Sequence, residues 1–106
     1  MEIYTLTDLQ YKALRDSGGK NSEDGKPINI CVPEPDPRGT QEELEDQTKQ
    51  MKQLTDLVDL GLMKDISKLN EDGIKNFIEK FGFGLKFFMI SDRGLAMFKR
   101  ENLVVN

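Results

Sequence analysis

The chain has 106 residues, a length suited to one compact domain and too short for two with full cores. With 37% hydrophobic residues it can bury a core unaided, and a net charge of -4 excludes a protein that coats nucleic acid by charge alone. It has no histidine and a single Cys31, so no internal disulfide, zinc cluster, Ser-His-Asp triad or Cys-His pair is available.

The charge is uneven. Residues 1–50 carry 6 Lys and Arg against 11 Asp and Glu, whereas residues 51–106 carry 9 against 8. An acidic amino half and a near-neutral carboxyl half leave room for a local basic strip only in the second. MEIYTLTDLQ at the start has no basic region followed by an apolar run, so no secretory signal is expected, and no apolar run approaches the length of a membrane span. The expected setting is cytoplasmic.

In chain order, a short extended start at residues 2–5 leads into a helix. Thr7 and Gln10 have capping-box spacing, Leu6 and Tyr11 that of a hydrophobic staple, and Leu9, Ala13 and Leu14 one apolar stripe. Ser17-Gly18-Gly19 stops the helix, and residues 20–27 form a polar loop. INICV (28–32) alternates Ile28, Ile30 and Val32 with Asn29 and Cys31, the period of a half-buried strand in which Cys31 is expected as a small buried hydrophobe. PEPDPRG (33–39) has three prolines and is expected as a stiff linker. It divides a single domain, 1–106, into an N-terminal appendage at 1–39 and a helical core at 40–106.

A second capping box, Thr40 and Glu43, opens a helix over residues 40–60, with Leu44, Met51, Leu54 and Val58 on one side and Gly61 as a left-handed stop. Such a helix serves either as the spine of the fold or as a dimerisation surface. Residues 62–69 fit a short strand or a frayed continuation. Asn70 is expected to cap the next helix, whose Ile74, Phe77, Ile78 and Phe81 form the clearest helical face in the chain before Gly82 ends it. LKFFMI (85–90) has the pattern of a buried strand, Ser91 or Asp92 caps a last helix with Leu95 and Phe98 inward, and LVVN either adds a strand or frays. The sum is an α+β fold of three or four helices on a small sheet, expected from residues 28–32 and 85–90 with either 2–5 or 62–67 beside them. Its core is expected to unite Phe77, Phe81, Phe87 and Leu95.

Two stretches carry a resemblance. LTDLVDLGLMKDIS (54–67) has an LxxLGL-like turn, and FFMISDRGLAMFKR (87–100) has Ser91-Asp92-Arg93-Gly94 in a T-x-x-G-like position at a strand-to-helix corner. In this the carboxyl half resembles a winged-helix domain. Two departures stand beside it: an amphipathic helix occupies the place of a short wing, and QEELEDQTKQ (41–50) is too acidic to lie along phosphates. The resemblance implies a small non-enzymatic regulator or adaptor that binds DNA as a dimer. The cations available are Lys64, Lys68, Lys75, Lys80, Lys86, Arg93, Lys99 and Arg100; as solvated helix ends they would have no such role. The competing expectation is a protein-interaction or assembly module, such as an accessory protein of a phage or mobile element, using Leu44, Met51, Leu54 and Val58 on the acidic helix. FGFGLKFF (81–88) lacks the glycine spacing of a nucleotide loop, and its phenylalanines are expected in the core. No catalytic residue, metal site or cofactor is assigned.

Overall fold

The computed structural model describes residues 3–18, 26–100 and 103–105. Glu2, most of the 20–27 loop and Asn106 of the tail therefore lie outside the described residues. The described chain is α+β: β1 (Tyr4–Leu6), α1 (Asp8–Ser17), β2 (Ile30–Pro33), α2 (Gln41–Asp59), β3 (Met63–Asp65), a 3-10 turn (Ser67–Asn70), α3 (Glu71–Phe81), β4 (Leu85–Ile90), α4 (Asp92–Lys99) and β5 (Leu103–Val105). None of these helices is long and apolar enough to cross a membrane.

The strands form two sheets. β4 lies between β2 and β3, antiparallel to both, and β1 pairs in parallel with β5, Tyr4 opposite Leu103. Both helix starts carry the capping boxes that their sequences encode. Thr7 Oγ1 accepts the Gln10 N–H at 3.2 Å and Gln10 Oε1 accepts the Thr7 N–H at 3.0 Å, and Thr40 with Glu43 repeats the pattern. Gln10 and Thr7 also reach Gln53 of α2, so the first cap doubles as a tie between helices.

The core unites Leu6, Ala13 and Leu14 with Leu54 and Leu57 of α2, Leu62, Met63, Phe88, Ile90 and Leu103, while Leu95 and Phe98 pack against it. Residues before position 40 are thus part of this core, and β2 is an outer strand of the main sheet. PEPDPRG joins two parts of one unit rather than setting off an appendage. Pro33 is itself the last residue of β2, an edge position where its missing N–H costs no ladder bond. Beyond it, Asp36 N–H donates to Gln47 Oε1 at 3.0 Å and Glu34 N–H to the Gly84 carbonyl at 2.8 Å, so the proline-rich stretch braces α2 to the turn before β4.

Two corners fix the architecture. Buried Ser17 accepts the Ile90 N–H at 2.7 Å and donates to the Ile28 carbonyl at 2.8 Å, bridging β4 to the segment before β2 where no strand pair reaches. Ser91 N–H donates to the Leu62 carbonyl at 3.0 Å, its hydroxyl donates to the Gly61 carbonyl at 2.5 Å, and its oxygen caps α4 by accepting the Gly94 N–H at 3.0 Å. A Cβ at Gly94 would stand 2.1 Å from the Leu62 carbonyl oxygen. The turn at 60–62 and the corner at 91–94 are therefore one packed joint, and glycine at 94 is what lets the two backbones touch.

Several expectations change. Cys31 faces outward and is exposed, because Ile30 and Val32 take the inward positions of β2; Ile28 precedes the strand and is exposed too. Partial desolvation raises the Cys31 thiol pKa, which keeps it protonated at neutral pH. Asn70 ends the 3-10 turn and makes no side-chain cap to α3. The expected union of Phe77, Phe81, Phe87 and Leu95 does not form: only Leu95 joins the core. The α1 and α2 stripes already cover the Phe88 and Ile90 side of β4, and Phe77 instead groups with Phe81 at 4.5 Å and Phe83 at 5.2 Å between ring centroids. Phe81 stays 42% exposed.

Candidate docking cleft beside helix α3

Helix α3 separates its polar and apolar residues cleanly, yet no side chain on it is buried. Ile74 and Phe77 are half-buried, whereas Ile78 and Phe81 are exposed, as is Leu69 in the 3-10 turn ahead of them. Gly82 ends the helix in the left-handed region at φ 82°, as its place in the sequence predicts, and the chain turns through Phe83 and Gly84 into β4. Between α3 and this strand opens a shallow cleft of about 510 Å³.

Ile74, Ile78 and Leu85 supply the apolar surface of the cleft, and Ser67 lies at its edge. Lys68, Lys75 and Lys86 stand around it, interleaved with Glu34, Glu71 and Glu79. Beside it, Asp65 Oδ1 accepts the Ser67 N–H at 3.0 Å, Ser67 Oγ accepts the Phe87 N–H at 3.0 Å, and Lys86 Nζ lies 4.0 Å from Asp65 Oδ2. Burial pushes the Asp65 carboxyl up, but the Ser67 hydroxyl and amide and then Lys86 and Lys68 outweigh it and hold its pKa below the usual aspartate value. Asp65 is thus a fixed negative charge that neutralises part of the lysine field.

The eight carboxyl-half cations do not form one strip. Lys68, Lys75 and Lys86 come together at the cleft. Lys64 is exposed on β3 opposite Met89, and Lys80 in the last turn of α3 lies 5.4 Å from the centre of the Phe81 ring. Arg93 opens α4 and is occupied within the fold: its guanidinium donates to the Tyr4 hydroxyl and lies 5.7 Å from the centre of that ring. Lys99 and Arg100 are exposed at the end of α4.

The side chains expected to face a partner on α2 are largely spent inside the protein. Leu54 is 3% exposed in the core, and Met51 and Val58 pack against that core. Leu44 alone remains apart from it, half-buried in a shallow groove with Gln41, Glu45 and Thr48. Glu34 and Ser67 belong to the cleft although neither stood out in the sequence. Glu34 was masked by its proline neighbours, and the placement of Ser67 depends on the β3–β4 pairing.

Comparison with known proteins finds no matching family model, no matching curated protein and no matching solved structure.

Proposed function

We propose that this protein is a small non-enzymatic adaptor that uses the cleft beside α3 to dock an amphipathic segment of another protein. One observation carries the reading: the most sharply amphipathic helix of the fold leaves Ile78 and Phe81 outside the core, and its Ile74 and Ile78 line an apolar cleft with a charge-mixed rim. Apolar contact supplies the attraction, at roughly 25 cal/mol per Å² of surface removed from water, and paired charges at the rim supply orientation. A duplex would meet three carboxylates among the three ammonium groups here, so the rim favours a protein over a phosphate backbone.

Replacing Phe81 with photoreactive p-benzoylphenylalanine and irradiating cells that produce the protein tests this. A discrete protein adduct is expected, and Ile78→Glu should abolish it without loss of helix signal by circular dichroism. An adduct that survives Ile78→Glu, no protein adduct, or salt-sensitive binding of the purified protein to random duplex DNA at about 50 mM salt would overturn the reading.

A further inference from the structure

One wall of the cleft is carried by the central strand of the main sheet and the other is not. Leu85 and Lys86 lie on the central strand β4, and Glu34 is tied to the turn before that strand by its 2.8 Å bond to Gly84. Glu71, Ile74, Lys75, Ile78 and Glu79 lie on α3, none of whose side chains enters the core cluster. Besides its packing on β4, a small set of hydrogen bonds among the described residues holds this second wall. At its start, Ile66 N–H donates to the Phe87 carbonyl at 2.8 Å and Ser67 Oγ accepts the Phe87 N–H. At its end, the Arg38 guanidinium donates to the Phe81 carbonyl while also bonding Asp36, with Nε 3.1 Å from Oδ1. The Phe77–Phe83 contact holds the helix to its own following turn.

We infer that residues 67–82 form a flap that opens as a unit while the rest of the domain stays folded, with Arg38 as its latch. Segments with little buried apolar contact open at a lower free energy than the core, and here the boundaries are well defined. The Asp65–Ser67 turn marks one hinge and Gly82, in its left-handed conformation, the other. Arg38 is suited to the latch because it binds the Phe81 carbonyl at the end of α3, where the helix dipole favours a cation, and Asp36 holds the guanidinium in place. Asp36 N–H donates to Gln47 of α2 and Arg38 N–H donates to Asp36, so this anchor is held outside the flap. Flap motion would change the width of the cleft, so its opening would set how wide a segment the cleft admits. The flap itself stands on these attachments, whatever occupies the cleft.

Native-state hydrogen exchange on the full chain tests it with three proteins. In the wild type, the amides of residues 75–82 should exchange at least about tenfold faster than the interior amides of α2 and β4. Arg38→Ala should speed exchange in 75–82 a further five- to tenfold, roughly the factor for one lost hydrogen bond, and leave α1, α2 and β4 unchanged. Leu57→Ala should do the reverse, accelerating α2 and β4 by weakening the core and leaving α3 where it was. If α3 exchanges only together with α2 and β4, or if Arg38→Ala moves all elements alike, there is no flap.

Discussion

Helices α2 and α3 begin from similar sequence patterns and end in opposite situations. Both carry acidic residues in the first turn and apolar residues at helical spacing. The stripe of α2 is consumed: Leu54 and Leu57 are buried against α1 and β3, and Met51 and Val58 close the margins. The stripe of α3 separates more cleanly from its polar side, yet it stays half-covered outside the core. Amphipathic spacing announces that a face needs covering but is silent on what covers it. On α2 the cover is the protein itself; on α3 much of it is still open.

The core side of this contrast breaks hardest at its backbone joint. Gly94→Ala forces a methyl against the Leu62 carbonyl, and neither strand nor turn can retreat without losing the Ser91 bonds. We expect a loss of about 3 kcal/mol or more, at the upper end for overpacking, seen as a collapse of the urea midpoint or as failure to fold. A stability change under about 1 kcal/mol would mean that the two backbones are not in contact. Leu57→Ala, at a fully buried position, should cost about 2–5 kcal/mol by opening a cavity between α1 and α2. Ser17→Ala should cost about 2–3 kcal/mol, because it orphans both the Ile90 N–H and the Ile28 carbonyl.

The α3 side should barely register in the same measurement. Ile78 is 46% exposed, so Ile78→Glu should shift the unfolding free energy by no more than about 0.5 kcal/mol. A loss comparable to that of Leu57→Ala would show that α3 is part of the core after all. The comparison is sharpest when both variants are unfolded in urea side by side, since only one of them should move the midpoint.

Where the sequence was informative, the signals were local. Both capping boxes, the Gly61 and Gly82 stops and the Ser91 cap follow from residues three or four apart, and each forms as its spacing indicates. LKFFMI likewise forms the strand its pattern indicates, although Phe88 and Ile90 enter the core in place of the expected Phe87. What could not be read was competition for space. Nothing in IKNFIEKF tells that the α1 and α2 stripes already fill the inner side of β4. The parallel pairing of β1 with β5 closes the chain on itself through contacts nearly a hundred residues apart, beyond any local pattern. The cleft was half-legible for the same reason: Lys75 and the two isoleucines lie on one helix, but Glu34, Ser67, Lys68, Leu85 and Lys86 arrive from three other parts of the chain.

A further small effect lies at the boundary between the two regions. Asp65 has its pKa lowered in the fold, so it contributes stability above the ordinary aspartate pKa of about 4 and loses it as pH falls through the lower folded value. Asp65→Asn removes this dependence. Wild type should be the more stable of the two at pH 7, and the gap should narrow as the solution is acidified below about pH 4. Its side chain is 38% exposed, and solvent screening keeps the difference below about 1 kcal/mol. Urea midpoints at neutral and acid pH read both the sign and the size. A gap that widened on acidification would reverse the assigned direction and detach Asp65 from the charge balance of the cleft.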